Sequence, residues 1–475
     1  MPDSVPQFFA TVVNPGGVVV QETPKLDLDL YIQNYRGRTR FERLLHIGRT
    51  SVPLCVEALK SAVHEAKRGR DVQRYRDAWE CIRSAAPSEP EAIFDRIWAE
   101  QAEKANKAET ARLETELKGY KNNLIKESIR IGHEELGKHL ESIGDLDGAA
   151  DAYGKMRPDV STPKHLVDVH RHIVSVAIQR REWGTVAANV TKMQGQQSSD
   201  DEKHIQPYMR IAMGLCLLGQ GKFDEAACHF LEPNPTIPQT TWSDLASPND
   251  VATYGGLLAL ASMDRANLQA KLLDNSSFRN FLEAEPQIRR AITQFVNGRY
   301  SQCIATLESY RADCLLDIHL HKHVPKIYSE IRVKCIVQYL VPFSCVTLDK
   351  MRENFGRPGE AIEEELAAMI EAGSVDVRIN LTDKFITKTS TSVRAKTQTA
   401  ALETIKNYEK EAIDRLRRMS LMSADLESRN PQSLDTLLFV SVASNRESRP
   451  MGSREEMTCC SDSKRRFGDR LAAGR

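Results

Sequence analysis

The sequence predicts a mainly α-helical protein: a helical-repeat solenoid running into a C-terminal winged helix, and then one further helix. Three observations predict it. Two stretches in the first half share one spacing of small and aromatic residues, residues 326–390 read as three short helices followed by two β-prone runs, and residues 396–427 carry a one-sided apolar pattern. At 475 residues the chain exceeds what one ordinary hydrophobic core organises, so it divides into domains or forms a repeat array. Lys+Arg and Asp+Glu each count 65, a formal net charge of zero, so no overall basic field draws the chain to nucleic acid or anionic membrane. No apolar run approaches the roughly 18 to 20 residues that a bilayer span needs, and no basic-then-apolar leader opens the sequence. The 10 cysteines include no C-x-x-C pair, and only Cys459-Cys460 are adjacent, which fits reduced thiols in a nuclear or cytosolic protein.

Taken in order, residues 1–25 hold Pro2, Pro6, Pro15, Gly16, Gly17 and Pro24 around a short Val run and read as a flexible tail. Residues 26–130 read as an N-terminal helical arm ending in a long Ala/Glu/Lys-rich helix from about Ile93 to Ile131, interrupted only by Gly119. The apolar positions of that helix, Trp98, Leu113, Leu117, Tyr120, Leu124 and Ile129, make a stripe too narrow for full burial. Arg36, Arg38, Arg40 and Arg43 near the front form a candidate partner site for phosphate or an acidic protein. The competing reading is a solvated face, or internal pairing with carboxylates such as Asp27 and Asp29.

Residues 131–325 carry the repeat. His133 to Tyr153 follows the tetratricopeptide ruler with Gly137, Gly144, Ala149 and Tyr153, and Ile211 to Phe230 repeats it with Gly214, Gly221, Ala226 and Phe230. Weaker copies centre near Arg180 to Trp183, Gly256 to Leu272, and Asn297 to Cys303, so successive centres lie roughly 34 to 43 residues apart, as stacked helix pairs require. The small residues let two helices approach, and the aromatic fills the gap to the next pair.

Residues 326–390 form the winged helix. Ile331, Cys335, Ile336 and Leu340 share one helical face before Pro342; Leu348, Met351 and Phe355 mark a second helix ended by Gly356; Ile362, Leu366, Met369 and Ile370 mark a third closed by Gly373. Val375 to Leu381 and Phe385 to Lys388 then alternate across Thr382-Asp383-Lys384, a β-hairpin. The third helix carries Glu360, Glu363, Glu364, Glu365 and Glu371 with no Lys or Arg between Glu360 and Ala372, which argues against reading DNA, since phosphate neutralisation dominates such binding. A hairpin with an open edge instead suits pairing with another chain. Beyond it, Leu402, Ile405, Ala412, Leu416 and Met419 line one face of a helix over residues 396–427 that needs partners to be stable. From 428 to 475 periodicity is lost, and the segment, with its lone apolar run at Leu434 to Val442 and basic Lys464 to Arg466, reads as a disordered tail or a product of a mis-assigned gene model.

Catalytic patterns fail on inspection. His133-Glu134 opens like the zinc-protease H-E-x-x-H, but Gly137 stands where the second His is required. His319-Leu-His321 resembles the H-x-H of metal-dependent isopeptidases, yet Lys322 follows in place of Pro. Among His319, His321 and His323 the preferred reading is a helix-entry segment, and no phosphate loop, dinucleotide turn or nucleophile elbow occurs. No cofactor, metal or enzymatic activity is expected.

A helical solenoid running straight into a winged helix resembles the PCI domain, whose helical part would begin near residue 215. Lys118-Gly-Tyr-Lys-Asn-Asn-Leu-Ile-Lys-Glu-Ser-Ile-Arg and the turn at Gly144-Asp145 resemble the branch holding one proteasome-lid subunit and the first subunit of the COP-9 signalosome. Tyr31 to Leu44, and His323 to Arg332 with Gln338-Tyr-Leu-Val-Pro, are similar to the signalosome branch. The resemblance covers roughly Leu26 to Ser420. It implies a non-catalytic scaffold of the signalosome, supporting removal of a ubiquitin-like modifier from cullins (deneddylation) by zinc in another subunit and so regulating cullin-RING ubiquitin ligases. The equivalent scaffold of the proteasome lid is the alternative. It further implies a hetero-oligomer in nucleus and cytoplasm, with no nucleic acid or membrane partner. Val375, Val377, Ile379, Leu381, Phe385 and Ile386 of the hairpin would meet other PCI subunits, and Leu402, Ile405, Leu416 and Met419 would enter a shared helical bundle. Cullin-RING ligases would be met through the assembled complex, with the arm and its arginines available to ligase components.

Overall fold

The computed structural model describes residues 4–13, 17–195, 202–232, 242–357, 361–388 and 393–424. Its contacts define two units: Met1–Val375 with Ile379–Ile386, and Asp376–Arg378 with the residues from Thr387 onward.

The arm comprises α1 (Ser4–Val13), α2 (Leu28–Gln33), α3 (Gly37–Thr50), α4 (Cys55–Arg68) and α5 (Val72–Ala85). The expectation of a flexible stretch over 1–25 is corrected here. Val5, Phe8 and Phe9 of α1 are buried in one core with Leu44, Ile47, Leu59 and Ile82, and burial of such side chains contributes about 1.5 to 3 kcal/mol each. Val20 is fastened as well, accepting from Val52 N–H at 3.0 Å and donating to the Thr50 carbonyl at 2.8 Å.

The long helix ends earlier than its pattern indicated. α6 (Arg96–Asn122) passes through Gly119 without a break and stops before Leu124, which adopts a left-handed φ of 54°; α7 (Lys126–Ile143) then begins. A non-glycine residue in that region costs about 1 to 2 kcal/mol. Leu124, assigned above to the apolar stripe, is 82% exposed, whereas Leu113, Leu117 and Ile129 are buried.

The repeats follow as antiparallel pairs: α7 with α8 (Leu146–Met156), α9 (Pro163–Gln179) with α10 (Trp183–Gln194), and α11 (Glu202–Gly219) with α12 (Phe223–Leu231). Next come α13 (Pro248–Ser262), α14 (Arg265–Leu268), α15 (Ser276–Leu282), and the pair α16 (Pro286–Val296) with α17 (Tyr300–Glu308). The four pair turns are built alike. A left-handed residue (Gly144, Arg181, Gly221, Gly298) ends the first helix, and the next N–H reaches back five residues: Asp145 to Leu140, Glu182 to Ala177, Lys222 to Leu217, Arg299 to Gln294. The region Gly256 to Leu272 departs from this pattern, because α13 gives way to the short α14 and a π-turn over Gln269–Leu273. The repeat ruler has a steric meaning: a Cβ on Gly137 would lie 2.4 Å from the Tyr153 ring, so only glycine admits that ring. The Tyr153 ring also stacks on His172 of the next pair, at 4.8 Å between centroids.

After α18 (Arg311–Leu315) the winged helix comprises α19 (Val324–Leu340), β1 (Cys345–Thr347), α20 (Leu348–Phe355), α21 (Ile362–Glu371), β2 (Val377–Asn380) and β3 (Phe385–Lys388). The sheet has three strands in the order β1-β3-β2, so the hairpin gains a partner the sequence did not reveal and β2 lies at an edge. In the second unit α22 runs over Val393–Ser423. The Leu434 to Val442 run, Cys459-Cys460 and Lys464 to Arg466 lie outside the described residues.

Candidate functional site

Three groups of residues were candidates for meeting partners, and the structure treats them differently. Arg43 is corrected: its side chain is 0% exposed and takes no part in a surface cluster. Its Nη2 donates to Asp250 Oδ2 at 2.9 Å and to the Tyr254 hydroxyl at 3.3 Å, and its Nη1 donates to Asp317 Oδ2 at 2.7 Å and to the Tyr31 hydroxyl. Internal pairing is therefore right in kind, but the carboxylates lie 207 and 274 residues along the chain. Asp27 caps α2 instead.

Each carboxylate is also held locally. Asp250 is the third residue of α13 and completes a capping box with Ser247, while its Oδ1 accepts from Tyr35 at 2.7 Å. Asp317 Oδ1 accepts from the N–H groups of His319 and Leu320 at 2.8 and 2.9 Å, and its Oδ2 accepts from Tyr254 at 2.7 Å. Burial pushes the Asp317 carboxyl up, but Arg43, His319 and these hydrogen bonds outweigh it and hold the group below the usual carboxylate range. Burial likewise opposes the charge on Arg43, and Asp250, Tyr31, Tyr35 and Asp317 together overcome it. The arrangement bolts α2 and α3 of the arm onto α13 and the turn before α19. Breaking such a buried pair costs about 3 to 5 kcal/mol, because one charge is left uncompensated. Of the remaining arginines, Arg38 pairs with Glu42 at 2.8 Å and Arg40 with Glu65 at 3.5 Å, while Arg36 is exposed.

Beside this bolt stand the histidines. His46 and His321 face each other at 4.5 Å, His46 Nε2 meets the Leu315 carbonyl at 3.2 Å, and His319 Nδ1 meets Arg181 at 2.7 Å. Burial, then the neighbouring His321, lowers His46 to about 4, and burial lowers His319, His321 and His323 as well. Among the described residues no group of three or more His, Cys, Asp or Glu could hold a metal ion.

In the winged helix, Val375, Val377 and Ile386 are buried, Ile379 and Phe385 are half-buried, and Leu381 is exposed. The first three belong to the domain's own core, so any pairing along β2 is made by backbone N–H and C=O. The acidic α21 spends two of its carboxylates internally: Glu365 takes Arg332 at 2.7 and 2.9 Å, and Glu363 takes Arg352. Nothing on that helix attracts phosphate.

On α22 the large apolar side chains among the described residues are exposed. Leu402, Ile405, Leu416 and Met419 are 53%, 61%, 64% and 61% exposed, and Tyr408 joins them. At 100° per residue Leu402, Ile405, Tyr408, Ala412, Ile413, Leu416 and Met419 span about 140° of arc, wider than the seam of a two-stranded coil.

Residues 95–271 match the family described as 26S proteasome subunit RPN7, and residues 307–390 match the PCI domain. The chain is 51% identical to the COP9 signalosome complex subunit 1 of Neurospora crassa, over 92% of this chain and 97% of that protein. It is 47% identical to the subunit 1 of Emericella nidulans (90% and 88% covered) and 33% identical to that of Arabidopsis thaliana (86% and 92%).

Proposed function

This chain belongs to the family of COP9 signalosome complex subunit 1, and from that premise we propose that it serves as a non-catalytic scaffold supporting deneddylation of cullins, and so regulation of cullin-RING ligases, by a zinc site in another subunit. The observation that carries the reading is α22. A helix of 31 residues with so broad an exposed apolar stripe owes its stability to packing against other helices, and the width of the stripe suits a bundle of several. The edge strand β2 adds a second joining surface, through which neighbouring PCI subunits extend the sheet. Val375, Val377 and Ile386 hold the edge in shape from inside, while Leu381 is free to touch a neighbour. The arm acts as a fixed part of the scaffold, with Arg36 its outermost cation of the four, and the protein works in nucleus and cytoplasm.

The match of residues 95–271 to a proteasome subunit family favours a second reading, the corresponding place in the proteasome lid. Co-purification decides between them. Recovery with the cullin-deconjugating complex is expected, and recovery with the proteasome's regulatory particle would establish the second reading. Within the first, Ile379→Pro removes an N–H from β2 and is expected to block assembly while leaving the repeats folded. Normal incorporation of that variant would refute edge pairing.

A further inference from the structure

The turn between α6 and α7 carries features that neither the bolt, the sheet edge nor α22 accounts for. Leu124 is 82% exposed and Ile125 is 55% exposed, two adjacent large aliphatic side chains at the tip of a helical hairpin. The tip is rigid. Asn123 N–H bonds the Gly119 carbonyl at 3.2 Å, Leu124 N–H bonds the Lys121 carbonyl at 3.2 Å, and Ile129 N–H bonds the Ile125 carbonyl at 3.0 Å. Behind it Leu117 and Ile129 are buried, and a Cβ on Gly132 would come within 3.0 Å of the Tyr120 ring, so α6 and α7 are closely packed at this end. The chain thus holds Leu124 in a left-handed conformation, φ 54°, only to present it to solvent.

Charge surrounds the pair on one side of neutral. Lys118, Lys121 and Lys126 are exposed, and none has an ion-pair partner among the described residues. The two carboxylates nearest in the chain are already engaged: Glu116 by Arg112 at 2.6 Å and Glu127 by Arg130 at 2.5 Å. Two exposed apolar side chains flanked in the chain by three exposed lysines complement a surface that is apolar at its centre and acidic at its rim.

We propose that the Leu124–Ile125 knuckle docks an acidic protein segment with an apolar socket, supplied by another subunit of the complex. The inference rests on the reading of the chain as a scaffold subunit. A preformed tip loses little conformational freedom on binding, which lets a small contact contribute.

The test uses the full chain reconstituted with the other subunits, carrying the photo-crosslinking substitution Ile125→p-benzoylphenylalanine. Irradiation is expected to join it to one acid-rich peptide of a sibling subunit, and K121E/K126E is expected to lower the cross-link yield by about tenfold. Leu124→Gly suits the left-handed backbone, so it is expected to leave the melting temperature unchanged or raised while lowering the yield several-fold. Failure of the chain to incorporate at all would count against the scaffold reading. Incorporation without a cross-link, a cross-link within the same chain or to a segment without acidic residues, or a yield indifferent to charge reversal would overturn the knuckle. So would Leu124-dependent binding of the chain to phosphatidylserine-rich vesicles in preference to the subunits.

Discussion

The arginine-rich front of the arm and the apolar-striped α22 are both patterned stretches that, in one dimension, look like invitations to another molecule. In three dimensions Arg43 has found Asp250, Asp317 and a ring of tyrosines inside its own chain, whereas Leu402, Ile405, Leu416 and Met419 are left in solvent. The difference lies in what each residue type tolerates. A guanidinium in the interior must have its charge matched, so its burial is possible only where distant carboxylates are already aimed and capped. An aliphatic side chain asks only for exclusion of water, which any complementary surface supplies, including one from a different polypeptide.

The sharpest way to break the comparison is Arg43→Met. It strands two buried carboxylates, and it is expected to cost about 3 to 5 kcal/mol, read as a fall in the denaturant midpoint of the purified chain. A variant with unchanged stability would mean that the arm is not bolted down. Titration probes the same junction more gently. His46 is held to about 4 by burial and by His321, with Arg43 adding to the lowering and Asp317 and the Leu315 carbonyl opposing it. The unfolded chain therefore takes up a proton below about pH 6.5 that the folded chain refuses until about pH 4, and stability falls as pH drops through that window. We expect a loss of about 1 to 3 kcal/mol across it, and His46→Gln is expected to flatten the slope measured by thermal unfolding at successive pH values. The smallest effect on folding is expected at the other end. Leu402→Lys with Leu416→Lys changes only exposed positions, so stability should move by less than about 0.5 kcal/mol each. Incorporation into the complex, followed by size-exclusion chromatography, should nevertheless fall sharply. A double variant that destabilises the isolated chain would show that the stripe is covered from within.

How far the chain could be read in advance depends on how local each signal is. Pro342, Gly356 and Gly373 punctuate the winged helix within a few residues of where its helices end, and the alternation of Val375, Val377 and Ile379 gives the hairpin without reference to anything distant. Cys345 to Thr347 gave no such sign, since a strand of three residues carries no usable period and is made a strand by its pairing with β3. Arg43 shows the same limit. Its residue type announced a charge needing a partner, but the partners stand more than 200 residues away, brought there by the stacking of the repeats. Arg181 stood in only a weaker copy of the repeat for a different reason: the left-handed position it fills is one where glycine is the usual marker, as it is at 144, 221 and 298. Leu124 misled because its spacing fits a continuous apolar stripe, and only the backbone break exposes it.

The four like-built turns have a mechanical corollary. Each rod-and-rod unit carries its own hinge stop in its own backbone, so its inner angle is decided before any neighbour arrives. Residues 157–162, which join α8 to α9, hold no left-handed residue and no such back-bond. Lengthening or shortening that joint is therefore expected to change the pitch between the α7–α8 pair and the α9–α10 pair while leaving each pair intact, so the local curvature of the stack is a quantity that small insertions can tune.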